Sequence, residues 1–249
     1  MKSMKLLVSV VGADEVPEAL RGGADIVDVK NPAEGSLGAA PPWVISEVIA
    51  AVASRAETSC AIGDLPNLPG TATLAAAGAA ALGPDYLKLG LLGVRSPKQA
   101  QKLVADVVRA TRSVCSSVRV IACAYADWNL VGSLSPFQLP AVAAAAGAAG
   151  VLIDTINKDG RTLLDFLTLP DLTRFVRRAR RRGLLCGLAG SLRASHAQAI
   201  SSCDPDVVGI RTAACAAGNR TAGKVAGDNV RLFKHNLLSP HSPPTTRRP

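Results

Sequence analysis

Short β-branched runs recur along the chain, each followed by a polar turn and then a longer Ala- and Leu-rich stretch with apolar positions three and four apart. A period of two giving way to a period near 3.6, over and over, predicts βαβ units and a parallel sheet. Strands are expected at Leu6–Val10, Asp25–Val29, Thr58–Ile62, Asp85–Leu89, Val118–Ala124, Gly150–Ile153, Leu184–Leu188 and Asp206–Ile210. Helical segments between them include Val44–Ala53, Thr71–Leu82, Pro97–Thr111, Pro136–Gly147 and Pro170–Arg182. The turns GGAD, LGPD, GAAG and SCDPD precede strands, with glycine as the helix stop. Eight such strands favour closure into a (β/α)8 barrel of the TIM type over an open doubly wound sheet. No GxGxxG follows the first strand, which disfavours a dinucleotide fold.

Length agrees, since 249 residues match the ~250 of one such barrel. We therefore expect an α/β single-domain barrel over residues 1–238 and a disordered Pro-rich tail, SPHSPPTTRRP, over 239–249. Hydrophobic residues make up 48% of the chain and aromatics only 3%, so the core should be aliphatic. No apolar run reaches the ~18 residues of a membrane span, and the first strand meets an acidic pair at once, so the reading is of a cytoplasmic protein.

Cys60, Cys115, Cys123, Cys186, Cys203 and Cys215 are dispersed without a CxxC pair, which implies neither disulfides nor a zinc site. The three histidines are scattered too, so no metal is expected. A net charge of +9 raises the possibility of nucleic acid. Yet the basic residues concentrate in Arg174, Arg177, Arg178, Arg180, Arg181 and Arg182 and in the tail, as on a solvated helix face, with few aromatics to stack on bases.

Chemistry in such a barrel belongs at the C-terminal ends of the strands. In the second strand Asp28 and Lys30 stand two apart and share a face, while Val27 and Val29 take the other. The Asp and Lys then point into the barrel, where each supplies the other's counter-charge. The fourth strand, DYLKLG, sets Lys88 among leucines, where lost hydration and neighbouring lysines should lower its pKa. The sixth ends on Asp154, with Lys158 in the following loop. After the seventh and eighth strands, Gly187, Ala189, Gly190, Ser191 and Gly209 let backbone N–H groups approach a phosphate, with a short helix from Leu192 adding its dipole. Arg211 is expected to close on that phosphate bidentately.

The runs GGADIVDVKNPAEGSLGA at Gly22–Ala39, DYLKLGL at Asp85–Leu91, LIDTINKDGRTLLD at Leu152–Asp165 and LAGSL at Leu188–Leu192 resemble the (5-formylfuran-3-yl)methyl phosphate synthase family. The likeness extends from about Leu6 to Leu237, and the first motif is the most specific. It implies a carbon–oxygen lyase that condenses two glyceraldehyde 3-phosphates into a furan aldehyde phosphate, losing phosphate and two waters, in methanofuran biosynthesis. It implies Lys30 as the Schiff-base residue and Lys88 as the proton acceptor and donor, with Asp28, Asp154 and Lys158 completing the set and no cofactor. The expected partners are small phosphorylated trioses and further copies of the chain, with no nucleic acid and no membrane.

Two other readings stay open on the residues alone. A decarboxylase-like or ordinary class I aldolase barrel also uses a D-x-K strand, although the former wants a further aspartate where this chain reads Asn31-Pro32-Ala33-Glu34-Gly35. A non-catalytic phosphate- or RNA-binding barrel is favoured by the positive charge alone.

Overall fold

In the computed structural model, which describes residues 4–239, eight parallel strands close in sequence order into a barrel. They are β1 (Lys5–Val10), β2 (Ile26–Val29), β3 (Glu57–Asp64), β4 (Tyr86–Gly90), β5 (Arg119–Tyr125), β6 (Gly150–Asp154), β7 (Leu185–Leu188) and β8 (Val207–Ile210). Around them run α1 (Val16–Arg21), α2 (Pro42–Val52), α3 (Pro69–Ala80), α4 (Pro97–Val114), α5 (Leu139–Ala145), α6 (Leu163–Phe166), α7 (Leu169–Arg180), α8 (Ala197–Ser201) and α9 (Gly227–Leu238). Except for Ser239, the tail expected over 239–249 lies outside the described residues. No helix among the described residues is long and apolar enough to cross a membrane.

Local chemistry sets the helix starts. Proline stands in the first turn of α1 to α5 and of α7, where its missing N–H costs nothing. Thr168 and Asp171 form a reciprocal capping box at the start of α7. The single helix expected at Pro136–Gly147 is divided into a 3-10 turn, Pro136–Gln138, and α5. Pro140 lacks the N–H that a continuous helix would bond back to Pro136. All six arginines of the basic run are exposed, and Arg174 and Arg180 pair with Asp171 and Asp204.

Strand parity divides the core in two. Leu6, Val8, Val10, Val27, Val29, Leu87, Leu89, Val151 and Ile153 face outward into the larger cluster beneath the helices. Leu7, Ile26, Tyr86, Ile121, Cys123, Leu152 and Ala189 face inward and fill the barrel. The strands differ from their expected limits by one residue at one or both ends, except β3, which runs two residues further, to Asp64, with a register shift against β4 between Ala61 and Asp64. Such an irregularity re-aims the side chains that follow it.

The barrel closes where β8 meets β1, and Arg211 secures that closure. Its Nη1 donates to Glu15 Oε2 at 2.5 Å and to Ser9 O at 3.1 Å. Nη2 donates to Glu15 Oε1 and Gly223 O, and Nε to Arg220 O. Glu15 also accepts the N–H groups of Val11 and Val225. All five guanidinium donors are thus committed within the protein, and the expected bidentate grip of Arg211 on a phosphate is replaced by a structural role. Glu15→Ala leaves this buried cation unpaired, and urea denaturation should show a loss of about 3–5 kcal/mol. A loss under about 1 kcal/mol, the scale of an exposed pair, contradicts this account of the closure.

Candidate active site

Three lysines and two aspartates, Asp28 and Asp154, gather at the C-terminal mouth of the barrel; Lys158 pairs with Asp154 as their spacing suggested, whereas Asp28 and Lys30 take partners other than each other. Asp28 and Lys30 do share the inner face of β2, and both are buried. The partner of Asp28 lies two strands away on β4, where Lys88 Nζ donates to Asp28 Oδ2 at 2.7 Å. Ser9 Oγ donates to the same oxygen at 2.9 Å. Lys30 faces Asp154 at the end of β6, with Nζ 4.0 Å from Oδ2. Residues two apart on a strand occupy successive layers of the barrel, whereas alternate strands contribute to one layer. Pairing between alternate strands follows directly.

The two buried lysines therefore differ in charge preference. Burial pushes the pKa of Lys30 down to about 8, with Lys88 and Lys158 adding to the fall and Asp154 opposing it. The Lys30 side chain makes no hydrogen bond among the described residues, so its ammonium form is favoured only through space, by Asp154 and Asp28. For Lys88 burial also works against the charge, but the Asp28 carboxylate in contact outweighs it and the pKa stands above the ordinary value. The depressed pKa expected at Lys88 is thus found at Lys30. Asp154 is likewise penalised by burial, yet Lys158 and Lys30 hold its carboxyl well below the usual range. Lys158 Nζ donates to Asp154 Oδ1 at 2.8 Å and to Thr155 Oγ1 at 2.9 Å.

Loop aspartates fix these groups. Asp127, buried after β5, accepts the N–H groups of Ile156 and Asn157 and the Asn157 side-chain amide. That anchors the segment carrying Lys158. Asp64, at the end of β3, accepts Leu37 N–H at 2.9 Å and Tyr125 Oη–H at 2.5 Å. Leu37 is fully buried, so Asp64 fastens the loop that leaves Lys30. Two glycines leave room for this contact. A Cβ on Gly35, which has φ of 137°, would collide with Asp64 Oδ2, and one on Gly90 would collide with Tyr125 Oη. Burial raises the Asp64 carboxyl above its ordinary value, with Asp154 adding repulsion. Sequence reasoning passed over Asp64 and Tyr125. The signal for Asp64 was a carboxylate two residues beyond the strand end assigned to Ile62.

A cavity opens beside Lys30, Lys88, Asp154 and Lys158 and extends to Ala189, Gly190, Ser191, Gly209 and Arg211. Gly187 is not part of it; it sits lower, where a Cβ would come within 2.9 Å of Leu152. The helix expected from Leu192 begins instead with a 3-10 turn at Ala194–His196 and continues as the five-residue α8. It therefore adds no helix dipole at Leu192. The backbone of Gly190 and Ser191 offers more. Both residues have positive φ, and neither N–H finds an acceptor among the described residues. Such donors at a cavity wall form an anion-binding concavity.

Arg220 borders the same cavity. Its half-buried guanidinium makes no hydrogen bond or ion pair among the described residues, and Nη2 is buried without a partner. Burial lowers its pKa. An unpaired buried cation is costly unless an anion joins it, and the guanidinium left uncommitted at this cavity is that of Arg220, not Arg211. Among the described residues no three His, Cys, Asp or Glu side chains gather into a candidate metal-binding group.

A family model described as 4-HFC-P synthase matches residues 6–234. A curated (5-formylfuran-3-yl)methyl phosphate synthase of Methanothermobacter thermautotrophicus is 46% identical over 95% of this chain and 100% of its own length. A synthase of the same name from Archaeoglobus fulgidus is 46% identical over 94% of this chain and 96% of its own. Among solved structures, the 3-hexulose-6-phosphate synthase of Salmonella typhimurium superposes with a TM-score of 0.64 at 18% identity, covering 94% of this chain and 99% of that one. The KGPDC of Streptococcus mutans gives 0.62 at 12% identity, covering 94% and 97%. These structural likenesses concern the fold alone.

Lys30 reactivity toward a small aldehyde should follow its deprotonation. Reductive methylation by formaldehyde, mapped to Lys30 by mass spectrometry, should reach half its maximal rate near pH 8 and fall at lower pH as the ammonium forms. Asp154→Asn removes the carboxylate that raises this pKa and leaves Lys88 and Lys158 to lower it, so the profile should move to lower pH. A shift to higher pH is incompatible with the described geometry.

Proposed function

The chain belongs to the 4-HFC-P synthase family, and from that premise we propose that it condenses two molecules of glyceraldehyde 3-phosphate into (5-formylfuran-3-yl)methyl phosphate. One phosphate and two waters leave, which balances the atoms of two trioses against one furan aldehyde phosphate. The observation that carries the reading is Lys30: a buried amine without a hydrogen bond, its pKa about 8, opening on a cavity with anion-binding donors at its far side.

In this reading neutral Lys30 attacks the aldehyde carbon of the first triose to give a carbinolamine. Lys88, kept as an ammonium by Asp28, delivers a proton to the departing hydroxyl and leaves water and an iminium. Asp154, 4.0 Å from Nζ, steadies that iminium, in place of Asp28, the counter-charge of Lys30 expected from residue order. The now neutral Lys88 removes the proton from the adjacent carbon and forms the enamine, which restores its own charge. Phosphate elimination and aldol addition to the second triose both start from such an enamine, and ring closure with dehydration ends in an aromatic furan. Lys158 and Asp154 serve the second substrate and the waters lost.

The Gly190 and Ser191 N–H groups and Arg220 support a phosphate position at the end of the cavity away from Lys30. The lyase acts in methanofuran-type cofactor biosynthesis, in the cytoplasm and without a cofactor. Its partners are small phosphorylated trioses and further copies of itself, with no nucleic acid and no membrane. The pairing of Arg174 and Arg180 with neighbouring carboxylates is in keeping with a solvated basic face.

Incubation with glyceraldehyde 3-phosphate followed by borohydride should give a reduced adduct mapped by mass spectrometry to Lys30. The same incubation without borohydride should develop the ultraviolet band of a conjugated furan aldehyde. An adduct without that band favours an ordinary class I aldolase, and no adduct at Lys30 removes the Schiff base. Lys88→Ala should lower turnover by about 10²–10⁴ while an adduct at Lys30 is still trapped; retained turnover defeats the proton-transfer role.

A further inference from the structure

A second cleft adjoins the cavity on the side away from Lys30. It is bordered by Lys158, Ser191, Thr212 and Arg220, all shared with the inner cavity, and by Arg193 and Asn219, which line this cleft and not the inner one. Its volume is about 630 Å³, within the ~300–1,000 Å³ range of small-molecule sites. Three cations border it, and no carboxylate does. Arg193 is exposed and spends one donor on Gly160 O at 3.2 Å. Asp165, a carboxylate that feels the Arg193 charge, accepts the N–H and hydroxyl of Thr162 on one oxygen. Arg220 stands between the two spaces with a guanidinium that no protein group satisfies among the described residues. One partnerless cation facing two connected anion-sized spaces is a feature that a single phosphate site does not require.

We propose that this outer cleft is a second anion subsite, built from Arg193, Lys158 and Arg220, which holds the phosphate of the second phosphorylated triose while the first is bound through Lys30. The assignment rests on the two-triose reading given above. It separates the two substrates by position: the inner phosphate lies against the Gly190 and Ser191 backbone, and the outer one lies under Arg193. Lys158 reaches Asp154 from the rim of the cleft, so a triose seated there has its carbonyl end directed toward the group on Lys30. Arg193 is in this account a specificity-determining residue for the second substrate and takes no part in forming the imine.

Two measurements on the full chain test this, and the first is independent of the reaction. Phenylglyoxal labelling with peptide mapping should show Arg193 protected by inorganic phosphate, while Arg109, exposed and paired with Asp106 on α4, is labelled at an unchanged rate. No protection at Arg193 overturns the subsite, whether or not an adduct forms at Lys30. In the second, Arg193→Gln should raise the KM for furan formation about tenfold or more, with kcat and the concentration dependence of borohydride trapping at Lys30 unchanged. Equal loss of trapping and furan formation makes Arg193 a structural support of the inner site and overturns the proposal. Protection without a change in KM leaves an anion site unconnected to the second triose, which also overturns it. Failure of trapping in the unsubstituted enzyme, with Arg193 still protected, is a failure of the Schiff-base reading and not of the subsite.

Discussion

Charge compensation inside an aliphatic barrel governs everything at the mouth of this molecule. Asp28, Lys30, Lys88 and Asp154 are all buried, and isolated charges in such surroundings are prohibitively costly. Contact satisfies one pair: Lys88 lies against Asp28. For the other, Lys158 and the Thr155 N–H both bind Asp154 Oδ1, while Lys30 faces Oδ2 from 4.0 Å. Burial is what lowers the Lys30 pKa, against the pull of Asp154, and the charges of Lys88 and then Lys158 add smaller pushes in the same direction. The loop anchors at Asp127 and Asp64 belong to the same system, because they fix the distances on which the compensation depends.

Much of this was readable from residue order. Eight β-branched runs separated by helical spacing determined the closed barrel, and parity along β2 placed Asp28 and Lys30 inside and Val27 and Val29 outside. Partner choice for Asp28 and Lys30 was not readable, because it depends on which strands share a layer, a property of the closed barrel and its stagger. The same limitation inverted the pKa expectation: Lys88 has leucines on either side in sequence, yet its decisive neighbour is 60 residues away. Asp64 was hidden by a local irregularity, since a register shift extends β3 beyond the run of β-branched residues that marks it.

Arg211 and Arg220 show the limitation most plainly. Both follow β8, and nearness to the strand end favours Arg211. That same nearness places its guanidinium within reach of Glu15, Ser9 and Gly223, which exhaust its donors together with the Arg220 carbonyl. Arg220, nine residues further on, accepts the Arg211 Nε–H through that carbonyl. The structural arginine thus holds the backbone of the residue that faces the cavity. A loop arginine positioned by a buried one retains its donors for a ligand, which the buried one cannot do.

The different states of the two interior lysines also bear on why the proposed reaction uses both. One amine cannot be a neutral nucleophile and a proton donor at the same pH, and a single pKa forces a compromise between the two. Here the division comes from neighbours and not from residue type. Lys30 and Lys88 are both removed from water, but only Lys88 touches a carboxylate. In the proposed reaction, exchanging those neighbours exchanges the roles, so the chemistry proposed here is specified by the arrangement of Asp28, Asp154 and Lys158 around two identical side chains. Ser9 on β1, which holds Asp28 Oδ2 at 2.9 Å, belongs to that specification, although it lies three strands before Lys88 in the chain.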